Sequence, residues 1–272
     1  MEDDGPFAID TGIAYPARVL NYLAGGDGNF AADRELAEDL GDALPGGIGT
    51  ARAAVRSLGA FMGRAVRYLT GEVGIGQFLI VGAAIPPAKN VHEVAQLAAP
   101  DSRFVYVGDD PVVLAHAHSL LSGAAAGVAA YIDGSLTDPE AILGQAAETL
   151  DFTRPVAVML LTTLNFVPDE DDPVGIVDRL LQAVPSGSRL TIAHPSFDFG
   201  AEGMTEAAER LNKAIRQPFV VRSRTEIARF FDGLDMAEPG LVQIDQWRPD
   251  GSRPVSPVGR PTPVYVGVGR KP

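Results

Sequence analysis

From Gln77 onward, short and nearly continuous apolar runs alternate with amphipathic stretches. The runs are Phe78–Val81, Phe104–Val107, Gly127–Ile132, Val156–Leu161 and Arg189–Ala193. Helical spacing fills the gaps near Val91–Ala99, Val112–Leu121, Glu140–Leu150 and Val174–Val184. Strands that are apolar at every position belong to a sheet covered on both faces, and intervening helices make such a sheet parallel. Right-handed crossovers then give a doubly wound α/β fold. Two more helices are expected near Thr205–Ile215 and Thr225–Phe231. Leu241–Ile244 and Val264–Val268, with Pro and Gly turns around them, suit a hairpin on the sheet edge, and Arg253–Pro263 reads as a loop before the last strand.

Up to about Gly74 the pattern is helical instead. Pro16 opens a helix carrying Arg18, Val19, Leu20, Tyr22 and Leu23, and Gly25-Gly26 ends it. A second helix covers about Phe30 to Leu40. A third spans about Ile48 to Leu69, with Val55, Leu58, Met62, Val66 and Leu69 on one face. The chain thus divides into an N-terminal helical cap (1–74) and an α/β domain (75–272).

At 272 residues and 46% apolar content, the chain buries one full core with a substantial appendage. No apolar run approaches the roughly 20 residues that cross a bilayer. The acidic start Met1-Glu-Asp-Asp-Gly is unlike a signal peptide, so a cytoplasmic protein is expected. The absence of cysteine excludes disulfides, thiolate metal sites and cysteine nucleophiles. A net charge of −13 argues against nucleic-acid backbones and anionic membranes as partners. Lysine is confined to Lys89, Lys213 and Lys271 while arginine is common, which fits a GC-rich bacterial genome.

The segment Gln77–Glu93 reads as a buried strand, a glycine turn at Gly82 and a helix start, the place where open α/β sheets hold nucleotide-like cofactors. Ile80 and Ala84 stand where such sites often carry a carboxylate and a second glycine. The acidic run Asp169–Asp172 is best read as first-turn acids with Asp172 capping a helix opened by Pro173, so no metal is expected there. The four histidines form no metal set, since His116 and His118 are two apart and diverge on a helix.

Several stretches are long and idiosyncratic. They are Tyr15–Glu35, Asn90–Gln96, Val105–His116, Asn165–Pro173, Ala228–Leu234 and Trp247–Asp250. Through them the chain resembles the bacterial S-adenosyl methyltransferase family, enzymes of the class I Rossmann-like type. The resemblance implies a mostly parallel, seven-stranded sheet with S-adenosylmethionine (SAM) at the carboxyl ends of the first strands, roofed by the N-terminal helices. It implies a cofactor set of Gly82, Ala84, Asn90, Asp109, Asp110, Asp133 and Ser135. Within that set alternatives stand. Gly82 also suits a plain strand-to-helix turn. The ribose-gripping acid expected at Gly108 is missing, so Asp109 becomes the ribose candidate, while Asp110 better suits a helix cap before Pro111. Tyr131–Ser135 is either an adenine contact or a turn. Asn165, after the fourth strand, orients a substrate but is no base, and His194 is either a general base or a packed structural residue. Arg18, Tyr22, Gly26 and Asn29 match the family's cap over the substrate, with Arg18 and Tyr22 one turn apart and able to face one pocket. The expected activity is SAM-dependent methyl transfer to a small molecule. The altered positions Ile80, Ala84, Gly108 and Ser135 leave a second reading, a related protein with a degraded SAM site that binds a metabolite or runs a non-methylating reaction. An NAD-linked oxidoreductase is a weaker third.

Overall fold

Five parallel strands make the centre of one sheet: β1 (Gln77–Val81), β2 (Arg103–Gly108), β3 (Ala129–Asp133), β4 (Ala157–Leu161) and β5 (Arg189–Pro195). The computed structural model describes residues 10–82, 91–113, 129–199, 201–215, 217–251 and 261–272. Around the strands lie α1 (Pro16–Ala24), α2 (Ala31–Ala43), α3 (Ile48–Arg67), α4 (Val91–Gln96), α5 (Pro139–Ala146), α6 (Pro173–Gln182), α7 (Ala201–Ala214) and α8 (Arg224–Ala228). Of the helix expected over Val112–Leu121, only the first turn at Pro111–Val113 falls within the described residues.

The sheet order is β3-β2-β1-β4-β5-β8, where β8 (Val264–Arg270) runs antiparallel to β5. Beyond β8 lie two fragments, β6 (Asp235–Met236) and β7 (Val242–Gln243), each antiparallel to β8. The described sheet therefore has eight strands where seven were expected. The cause is local. The Gly240 amide closes a turn onto Ala237 O, with Gly240 at φ 87°, and this turn divides the outermost strand. Two-residue edge strands also leave little unpaired backbone to recruit another chain.

Alternation along the strands assigns the two faces. Leu79 and Val81 of β1 join Val105, Val107, Val158, Leu160, Leu190 and Ile192 against α5, α6 and Phe230. Phe78 and Ile80 turn the other way, with Phe104, Met159 and Val266, onto Phe61 and Val66 of α3 and Leu69 just after it. Thus α3 lies on the sheet, while α1 and α2 pack Val19, Leu23 and Leu36 against Leu211 and Ile215 at the end of α7. Helix ends follow their sequence signals. Pro16 stands at the first turn of α1 and Gly25, at φ 89°, closes its end. Asp172 accepts the Gly175 amide (3.1 Å) and caps α6. No helix among the described residues is long and apolar enough to cross a membrane.

The layer behind β8 is closed by Trp247, fully buried and edge-on to Phe61 at 5.3 Å between ring centroids. Arg64 of α3 fastens it, with Nε donating to Trp247 O (2.9 Å) and an Nη donating to Ile244 O (2.8 Å). Since Trp247 is the chain's single tryptophan, it reports on this packing directly. Phe61→Ala removes its ring partner and is expected to lower unfolding free energy by about 3–5 kcal/mol. Denaturant titration followed by Trp247 fluorescence checks this; a change below about 1 kcal/mol would contradict the packing described.

Candidate active site

A cleft of about 260 Å³ opens at the carboxyl ends of β1 to β4. Its floor carries Val81 and Gly82 after β1, Gly108 to Asp110 after β2, and Gly134 to Thr137 after β3. Thr162, Thr163, Phe166, Val167 and Asp171 follow β4 and form one wall; Tyr15, Pro16, Ala17 and Leu20 of α1 form the roof. Gly82 has φ 82°, and a side chain there would collide with Thr163. Thr163 Oγ1 donates to Val81 O (2.6 Å), so the ends of β1 and β4 are drawn together and only glycine fits between them. Ile80 is 5% exposed and packs towards α3. The altered position thus lies beneath the cleft, in the sheet core.

Asp109 is exposed in the cleft, where Gln217 Nε2 donates to its Oδ2 (3.1 Å). Gln217 also donates to Tyr15 Oη (3.3 Å). Burial, and then the hydrogen bond to Asp109, push the Tyr15 phenol well above its usual range, so Tyr15 stays protonated and donates to Asp109. Asp110 turns away from the cleft mouth. It is 2% exposed, and its Oδ1 accepts the Val112 amide (2.7 Å), the cap anticipated from Pro111. Burial raises its carboxyl pKa, opposed by those amides and by Arg18. Ser135 lines the cleft with its Oγ 2.8 Å from Thr137 Oγ1. Asp133 is exposed at the end of β3 and is not among the lining residues. Ala84 and Asn90 fall outside the described residues.

Arg18 and Tyr22 do not share a pocket. Arg18 is 4% exposed, its Nε 3.2 Å from Asp110 Oδ2 and 3.7 Å from Asp33 Oδ1. The approach to Asp110 is close enough for an ion pair, though not aligned as a hydrogen bond. Asp33, fully buried, also accepts the Tyr15 amide (2.8 Å) and the Phe30 amide (2.8 Å). Tyr22 instead donates to Glu38 (2.7 Å) beneath the Arg52 guanidinium. One helical turn separates the two side chains, but different acids claim them, Asp33 and Asp110 in one case and Glu38 in the other. Gly26 and Asn29 shape the loop after α1: Asn29 Nδ2 donates to Gly26 O (2.8 Å) and Asn21 Oδ1 (2.9 Å), and a side chain on Gly26 would strike Asn21. None of Arg18, Tyr22, Gly26 and Asn29 is among the described residues lining the main cleft. Arg18 borders a second cleft of about 230 Å³ beyond Tyr15 and Gln217.

His194, read as a candidate base lining the pocket, is fully buried and is not among the cleft's described lining residues. Its Nδ1 lies 2.8 Å from Pro195 O and its Nε2 3.0 Å from Arg222 Nη1. A carbonyl can only accept and a guanidinium can only donate, so Nδ1 carries the proton and the Nε2 lone pair is occupied. Burial drives its pKa down to about 3. Arg222 was not anticipated. It is 3% exposed and also donates to Leu164 O (2.9 Å), Val167 O (2.8 Å) and Asp169 (2.7 Å), fixing the whole segment after β4. Asn165, in that segment, is fully buried, and neither atom of its side-chain amide has a hydrogen-bond partner among the described residues.

Residues 3–272 match the sequence profile of a family described as S-adenosyl methyltransferase. The chain belongs to that family. The methyltransferase's similarity to solved structures agrees. A DUF574-family protein of Streptomyces avermitilis is 38% identical over 97% of this chain and 99% of its own, with a TM-score of 0.88. A Thermobifida fusca protein whose name carries a provisional methyltransferase assignment is 33% identical over 99% of both chains, with a TM-score of 0.87. No curated protein matches significantly.

The cofactor of this methyltransferase family is S-adenosylmethionine, and the cleft's donor set suits it. A carboxylate stands after β2, a hydroxyl pair after β3, and a side-chain-free turn after β1. Gln217 escaped the sequence reading because it lies 108 residues from the aspartate it holds; Arg222, 28 residues beyond His194, carried no local pattern either. The neutral imidazole of His194 has a measurable consequence. The unfolded chain takes a proton near pH 6.5 and the native one only near 3. Stability therefore falls as pH drops through that window, by up to about 1.4 kcal/mol per pH unit. His194→Gln is expected to remove this share of the slope in urea unfolding measured across the window. Equal slopes in variant and wild type would contradict the sealed, neutral state.

Proposed function

We propose that this methyltransferase transfers the SAM methyl group to a small molecule enclosed between the post-β4 segment and α1. The observation that supports it is the cleft itself, which meets the carboxyl ends of four adjacent strands under a helical roof. Asp109 would hold the ribose hydroxyls, with Tyr15 and Gln217 fixing its carboxylate for that task. Ser135 would contact the adenine end, and the Gly82 turn would let backbone approach the amino-acid end. SAM supplies an electrophilic methyl carried on a sulfonium. The chain's own share is positioning and exclusion of water: α1 roofs the cleft, Arg222 fixes the wall, and Asn165 offers an amide with free valences beside it. Entry under a roof favours a small acceptor over a polymer, as does the net charge of −13.

Calorimetric titration with S-adenosylhomocysteine (SAH) tests this reading. Saturable binding is expected, weakened about ten- to a hundredfold by Asp109→Ala, the value of a lost hydrogen bond to a charged group. No heat at millimolar SAH would overturn it.

A further inference from the structure

We infer that the methyl acceptor is an amine on an apolar or aromatic body, recognised as a cation by the Asp171 carboxylate. The inference rests on the methyl-transfer reading above and assigns its substrate class. Three carboxylates line the cleft, Asp109, Asp110 and Asp171, and no Lys, Arg or His does among the described residues. Two of the three are committed. Asp110 caps a helix and faces Arg18, and Asp109 is held by Gln217 and Tyr15. The Asp171 side chain has no hydrogen bond or ion pair among the described residues. It is exposed on the wall that follows β4. Arg222, which is packed under that segment, is buried and spent on Asp169 and backbone carbonyls.

A second observation comes from the same segment. Asn165 sits between the liners Thr163 and Phe166 in sequence, is fully buried, and has both amide atoms unpartnered among the described residues. Buried amides are rarely left so unless something else completes them. The lining of the same cleft also carries apolar groups, among them Phe166, Val167, Leu20 and Pro218. A carboxylate and an aromatic ring on an apolar wall are what an organic ammonium ion recognises. An anionic acceptor would meet only like charge there.

The chemistry agrees. In the transfer, the bound ammonium first loses a proton to solvent, and the lone pair of the resulting neutral amine nitrogen forms the new N–CH3 bond. The S–CH3 bond breaks with its electron pair returning to sulfur, so positive charge moves from sulfur to nitrogen. A carboxylate beside the nitrogen stabilises the charge that develops on it. An alcohol holds its proton far more tightly than an ammonium does and would need a stronger base before attack. His194 cannot serve, with both ring nitrogens committed, and the phenol of Tyr15 is held protonated.

The test uses the full chain saturated with SAH and titrated calorimetrically with matched amine, alcohol and carboxylate triplets on phenyl, indolyl and alkyl bodies. In at least one triplet the amine is expected to bind tenfold or more tighter than its alcohol, with the carboxylate weakest. Asp171→Asn should abolish that preference while leaving SAH affinity unchanged, and with SAM only the amine should yield SAH. Equal or tighter binding of alcohol or carboxylate, no binding in any triplet, or a preference that survives in Asp171→Asn would overturn the assignment and leave the cofactor reading intact. Failure of SAH itself to bind would overturn both.

Discussion

The cofactor cleft depends on a guanidinium buried between two carboxylates. Arg18 of α1 lies against Asp33 of α2 and Asp110 at the end of β2, all three almost without solvent exposure. Taking such charges out of water is costly, and losing one partner of a buried set costs about 3–5 kcal/mol. The three elements are thereby held in one relative position. Asp33 adds a direct tie by accepting the Tyr15 amide, at the residue where the roof begins. One residue before Asp110, the contact of Asp109 with Gln217 and Tyr15 repeats the bridge at the cleft's rim. The roof is thus attached to the strand end whose carboxylate faces the cleft.

The opposite wall has its own fastening. Arg222 is the cation there, buried under the post-β4 segment and satisfied by two carbonyls, Asp169 and the lone pair of His194. A neutral imidazole is required for that last contact, and burial keeps it neutral. Thr163 then joins this wall to the floor through Val81, at the approach that Gly82 permits. Both walls of the cleft are set by buried arginines, while the groups facing the opening are carboxylates and hydroxyls. The two kinds of group are separated in space: buried arginines behind the walls, carboxylates and hydroxyls at the surface of the cleft.

Much of this was legible because a parallel strand covered on both faces must be nearly continuously apolar, and the centres of β1, β2, β4 and β5 are. The cap at Asp172 and the proline start of α1 were legible for an equally local reason. The edge was less so: its outer strand is interrupted by the turn at Ala237–Gly240, giving two short pieces. Two site assignments changed. His194 does end β5, but a strand's last residue alternates between faces, and only the packing of Arg222 and Phe230 shows it sealed. Arg18 and Tyr22 share a helix side, yet Asp33 and Asp110 take one and Glu38 the other. Contacts such as Gln217 with Asp109 join residues far apart in sequence, and periodicity carries no record of them.

The central claim, that α1 is held by Arg18 as the roof of a cofactor cleft, is tested most directly by hydrogen exchange over residues 16–24, with and without SAH, in the wild type and in Arg18→Lys. The account predicts that SAH slows exchange in α1 of the wild type, and that the variant exchanges faster there with the SAH effect diminished. Bound SAH that leaves α1 exchange unchanged, or a variant indistinguishable from wild type, would contradict it.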